Sequence, residues 1–167
     1  MKKTATLLLA IAFSITACSS RGAMDYFNKN EHFEKAMTNL QIGTLVEGLE
    51  TKVIFKAIYL NQIFEKEYQD GENFYISTYI DKEPYIEKER GLYHKEYTLM
   101  LNDTNATKIK ELKEDDTLRL KMPLTERWSR YYHIRFDEIE ENDLNLTFSH
   151  QKQGTISLVY AKDELEK

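Results

Sequence analysis

Hydrophobic positions recur along this chain with two different periods, and the change of period divides it. From Asn28 to about Gly43, the residues Phe33, Ala36, Met37 and Leu40 fall at helical spacing with Gly43 as a stop, which predicts one amphipathic helix of about three turns. After Gly48 the period becomes two. Across Thr51 to Asn61, Val53, Phe55, Ala57 and Tyr59 share one face, while Ile54, Ile58 and Leu60 populate the other around Lys56. A strand apolar on both faces is expected to be covered on both, with the helix as a cover. Asp70-Gly71 signals a turn, and Phe74 to Asp81 sets Phe74, Ile76 and Ile80 against Tyr75, Ser77 and Tyr79.

Further strands are predicted at Tyr97 to Asn102, around Lys108 to Leu112, and at Leu118 to Leu124, where Leu118, Leu120, Met122 and Leu124 point inward. Trp128 to Asp137 puts Trp128, Arg130, Tyr132, Ile134 and Phe136 on one face, with Trp128 as the core anchor. A last pair carries Leu144, Leu146 and Phe148, then Ile156, Leu158 and Tyr160. Seven or eight short strands after one helix predict a mainly β fold, an antiparallel immunoglobulin-like β-sandwich, with a small open β-barrel as the alternative. Between Asp81 and Tyr97 the chain is charged, contains Pro84 and Gly91 and does not alternate. It is expected to be a long loop, of the kind that carries function or moves.

The first residues obey another rule. Lys2 and Lys3 precede an apolar run, Thr4 to Ile15, and small residues precede Cys18, the layout of a cleaved secretory signal too short to span a bilayer. Ile15, Thr16, Ala17 and Cys18 fill the four places of the lipobox, so the segment resembles a bacterial lipoprotein signal; an ordinary secretory signal is the alternative. The resemblance implies cleavage before Cys18, a diacylglycerol on its thiol and an acylated amino group. It also implies sorting to the outer membrane, at its periplasmic face or its outer surface, because Ser19 stands where an Asp would favour inner-membrane retention. Two or more acyl chains anchor stably. The expected organisation is a signal peptide at 1–17, a lipidated tether at 18–24 and one sandwich domain with its N-terminal helix at 25–167.

Charge narrows the partners. Taking Lys2 and Lys3 from the 23 basic residues leaves 21 against 28 acidic ones, a net charge of −7 after cleavage. An acidic exported domain is a poor ligand for nucleic acid, which needs clustered Lys and Arg. Cys18 is the single cysteine, so no disulfide within the chain is available and stability must come from packing, with eleven Tyr and eight Phe to supply it.

Asp103-Thr104-Asn105-Ala106-Thr107 and Asp143-Leu144-Asn145-Leu146-Thr147 both fit Asp/Glu-x-Asn-x-Ser/Thr. They resemble the extended sequon of periplasmic asparagine glycosylation in a group of epsilon-class bacteria, which implies Asn105 and Asn145 as acceptors, Asn105 in a turn and Asn145 outward on a strand. Around the aromatic stretch Arg127 to His133, the residues Tyr131, His133 and Arg135 have the opposite parity to the core set. With Tyr75 and Tyr79 on a neighbouring strand they make a candidate binding face, able to stack on sugars or to fork onto carboxylates.

Asp137 to Asp143 and Glu111 to Asp116 are acidic, but neither has the glycine and ligand spacing of a calcium loop. No nucleophile elbow or zinc-binding His pair occurs, and the histidines at 32, 94, 133 and 150 are dispersed. No metal or cofactor is therefore expected. The function expected is a non-enzymatic binding or accessory module of the cell envelope, with an envelope protein or glycan as partner, acting through that face or the Asp81 to Tyr97 loop. A surface adhesin is the alternative. An envelope hydrolase would require His133, His150 and acidic side chains to converge.

Overall fold

The computed structural model describes residues 31–162. Chain contacts separate Met1–Glu31 from His32–Lys167, and the fold below is that of the second unit. The signal segment, Cys18 and the tether lie outside the described residues.

Residues 31–38 form helix α1, and nine strands follow. Strands β1 (Gln41–Glu47), β2 (Glu50–Tyr59), β3 (Glu72–Ile80), β6 (Lys108–Glu111) and β7 (Arg130–Phe136) make one antiparallel sheet in the order β1-β2-β3-β7-β6. Strands β4 (Tyr97–Leu101), the two-residue β5 (Thr104–Asn105), β8 (Asp143–His150) and β9 (Gly154–Ala161) make the other, ordered β5-β4-β8-β9. The fold is thus a mainly β, two-sheet antiparallel sandwich without a closed barrel. Its core forms because alternating apolar positions from both sheets meet. Phe55 of β2 stacks on Phe148 of β8 with ring centroids 4.8 Å apart, and Tyr97 of β4 stacks on the same ring at 5.0 Å.

A second apolar cluster lies on the other face of the five-stranded sheet. Ile58 of β2, Tyr75 of β3 and Tyr131 of β7 pack there against Ala36 of α1, Ile63 and Phe64 from the turns after β2, and Leu112, Leu118, Met122 and Leu124. The expectation that β2 is covered on both faces holds for this reason at its C-terminal end, where Ile58 is buried while Ile54 and Lys56 are half-buried, and in β3 only Tyr79 is not buried.

Three local expectations are corrected. The helix stops before residue 39, and Gly43 lies in β1. A β-carbon on Gly43 would come within 2.2 Å of Ile156 Cγ2, so this glycine allows β9 to approach β1 and does not end a helix. Thr117–Lys121 is helix α2, started by the Asp116 carboxylate accepting from Leu118 N at 2.9 Å. Leu118, Met122 and Leu124 are buried from this irregular segment, whereas Leu120 is exposed. Trp128 is no core anchor either: β7 begins two residues later, and the indole is 68% exposed.

Candidate functional site

Residues 81–96 cross from one sheet to the other without joining a ladder, and their polar backbone groups are met by tight backbone turns, side chains and solvent. Two single-turn 3-10 helices, Glu87–Glu89 and Gly91–Tyr93, flank Arg90. Its guanidinium turns back over the loop, with Nε donating to Pro84 O at 2.6 Å and Nη2 to Tyr85 O at 3.1 Å. Arg130, at the start of β7, clamps the same loop. Its Nε meets Glu83 at 3.2 Å, Nη2 meets Glu87 at 3.0 Å and Nη1 meets Glu111 of β6 at 2.7 Å. Burial alone would weaken the charge on Arg130, but the three carboxylates overcome it and raise its pKa. The other oxygen of Glu83 accepts from Gly91 N at 2.8 Å. Gly91 has φ +58, and a β-carbon there would come within 1.9 Å of the Tyr132 hydroxyl, which accepts from Leu92 N.

This fixed base holds apolar side chains in solvent. Tyr85 is 98% exposed, Ile86 58%, and Leu49, in the turn between β1 and β2, 104%. The three share one end of the sandwich, because Val53 pairs with Ile80, Asp81 N donates to Lys52 O at 2.8 Å, and Lys52 pairs with Asp81 at 3.2 Å. Exposed apolar residues scattered singly are ordinary; here three stand at one end, two on the anchored loop and one at a hairpin tip.

The five residues expected to form one binding face lie on the same side of the five-stranded sheet, where Tyr75 pairs with His133, but they do not form one exposed surface. Tyr75 and Tyr131 are buried and stacked, ring centroids 5.8 Å apart, with the Arg119 guanidinium 4.3 Å from the Tyr131 ring centroid. The Tyr131 hydroxyl donates to Glu126 at 2.9 Å, and burial together with that bond pushes its pKa up to about 12. Opposite parity took these rings out of the sandwich core and into the second cluster, not into solvent. Tyr79 is half-buried in the row Thr44, Ile54, Tyr79. His133 and Arg135 line a different pocket.

Asn105 is exposed on the edge strand β5, just after Asn102 and Asp103, both in the left-handed region (φ 43 and 64). Asn145 is exposed too, but on β8 between β4 and β9. Its Oδ1 accepts from Ser157 Oγ at 2.5 Å, and its backbone N–H donates to Asn102 Oδ1 at 2.7 Å. His150 lies beside Glu96 at 3.5 Å in a pocket with His94, away from the pocket of His133, so the two histidines are not brought together. Among the described residues no group of three His, Cys, Asp or Glu is placed to hold a metal.

The organising roles of Arg130 and Gly91 escape a reading by strand parity. The loop gives no signal of them, since Lys82, Lys88, Arg90 and Lys95 stand among its glutamates, and only the fold brings Arg130 to Glu83 and Glu87. No family model, no curated protein and no solved structure matches this chain.

Proposed function

We propose that this protein is a lipid-anchored, non-enzymatic binding module of the cell envelope, attached to the outer membrane through Cys18, which contacts another envelope protein through the end formed by Leu49, Tyr85 and Ile86. The observation that carries the reading is the loop clamped by Arg90 and Arg130, which holds Tyr85 and Ile86 in solvent. A rigid base lowers the ordering cost of binding. Exposed aromatic and branched apolar side chains supply the desolvated centre that protein interfaces are built on.

The position of the chain's entry agrees with this. Residues 31–38 lead to Gln41, which pairs with Ala57 near the far end of β2, while Leu49 follows the other end of β1. The ten residues of β2 extend for about 33 Å between the two ends. Gln41, at the start of β1, and Leu49, beyond its end, therefore lie at opposite ends of the sandwich.

The test is a photo-crosslinking residue in place of Tyr85 in native cells, with Val159, exposed on β9, as the control position. One discrete envelope adduct is expected from position 85, none from 159, and loss of the adduct in Leu49→Asp/Ile86→Asp. Equal labelling from both positions, or no adduct from 85, refutes the contact surface.

A further inference from the structure

Lys66, Tyr68, Asn73, Lys108, His133 and Arg135 line a pocket of about 350 Å³ on the outer face of the five-stranded sheet, at the opposite end from Tyr85. The register Asn73↔Arg135↔Lys108 sets three of them in one row across β3, β7 and β6. Lys66, Lys108 and Arg135 make no side-chain hydrogen bond or ion pair among the described residues. Glu67 and Asp70 are the acids of the pocket, and Glu67 faces Lys121 at 3.6 Å. Asn73 Nδ2 donates to Asp70 O at 3.1 Å and Gly71 O at 3.2 Å, which leaves Asn73 Oδ1 to accept from His133 Nε2 at 3.1 Å. Three cations with no internal partner in one concavity are the outstanding charge feature of a chain that is acidic as a whole.

The pocket also lies where the chain enters the domain. The His32 ring packs on Phe64 at 4.9 Å, Phe64 on Tyr68 at 6.2 Å and Tyr68 on His133 at 5.3 Å. Between Cys18 and this entry runs about a dozen residues of chain, with a reach of at most about 45 Å. We propose that the pocket takes the phosphate of an anionic lipid headgroup in the membrane that holds the Cys18 anchor. The inference rests on that anchor. An arginine fork and two lysine ammonium groups suit a phosphate's geometry and charge, and acyl chains with a basic site are two membrane signals acting together. The pocket and Tyr85 lie at opposite ends, so occupation of the pocket turns Leu49, Tyr85 and Ile86 away from the bilayer.

The test uses the full lipidated protein with Gln69→Cys at the pocket rim, a unique thiol once Cys18 is acylated, carrying a dye that transfers energy to a headgroup-labelled lipid. Vesicles of phosphatidylcholine alone are compared with vesicles containing phosphatidylglycerol. Transfer is expected to rise with phosphatidylglycerol and to fall to the neutral-vesicle value in Lys108→Ala/Arg135→Ala, with about a fivefold loss of the oriented form for each cation removed. Equal transfer in the two vesicles overturns the proposal, as does an unchanged double variant. So does a probe that responds to inorganic phosphate in neutral vesicles but not to phosphatidylglycerol. Flotation with neutral vesicles reads the anchor by itself; a chain that does not float refutes the anchor and the proposal with it, whereas one that floats but ignores phosphatidylglycerol refutes the pocket alone.

Discussion

At the scale of single residues, Gly91 is the most constrained position of the loop. Its φ of +58 and the 1.9 Å approach of the Tyr132 hydroxyl to a β-carbon leave no room for a side chain. Gly91→Ala should cost about 1–3 kcal/mol in urea unfolding. Tyr131 is a core residue by its contacts, so Tyr131→Ala should cost about 3–5 kcal/mol. Tyr131→Phe, which loses the bond to Glu126, should cost only about 1 kcal/mol; equal losses for the two would deny the packing role. His133 titrates below its ordinary value because burial, and then Lys108 and Lys110, disfavour its charged form. The folded state therefore resists protonation there. The stability this confers is full above the unfolded value near 6.5 and is lost as pH falls from there toward the lower folded value. His133→Gln should flatten that part of the stability curve, and an unaltered slope would assign it to other groups. Of the two sequon asparagines, both exposed, Asn105 lies on an edge strand, while Asn145 is held by Ser157 and Asn102 within a paired strand. In a host with the glycosylation machinery, Asn105→Gln should remove the glycan mass and Asn145→Gln should not.

Among the elements, Arg130, whose side chain is 18% exposed, ties the loop of residues 81–96 to the sandwich through Glu83 and Glu87 and also meets Glu111 of β6. Removing the guanidinium leaves Glu83, Glu87 and Glu111 without their shared cation. Arg130→Ala should accelerate amide exchange across residues 83–93 while β2 and β3 stay protected, with a stability loss of about 1.5–3 kcal/mol. Exchange that speeds equally in the loop and in β2 would mean that the arginine supports the whole fold instead. Elements with one solvated face were legible in the chain: β4, β8 and β9 alternate because water takes every second side chain. Elements shaped by a neighbour were not. Around β1, Gly43 reads as a helix stop until Ile156 is seen beside it. In Leu118 to Leu124 a perfect alternation is overridden by the Asp116 cap, and a one-turn helix with an extended tail buries three of the four apolar side chains just as well. Trp128 missed the core because β7 begins only at Arg130, and parity says nothing of where a strand starts.

At the scale of the whole molecule, the centre of the five-stranded sheet is covered on both sides, most fully at β3, while its edge strands β1 and β6 and the outer face of the four-stranded sheet meet solvent. The far end is closed by a buried charge: Glu72 accepts from the Tyr59 hydroxyl and from Ile139 N and pairs with Lys162 at 2.6 Å, while Gln62 donates to Ala161 O. Breaking such a pair strands a charge in the interior. On the proposed anchor, Cys18→Ala should move the protein from the membrane to the soluble fraction; retention in the membrane would refute the lipid anchor. The two-sheet sandwich and the long loop were written in the order of residues, since alternation, turn residues and a break in periodicity are local properties that each segment carries by itself. Tertiary structure alone decided that Tyr75 and Tyr131 are buried, that Arg130 gathers three glutamates and that Lys66, Lys108 and Arg135 share a pocket. Periodicity tells which side of a strand a residue takes but not whether helix, solvent or a distant charge waits there, and that depends on contacts between segments far apart in the chain.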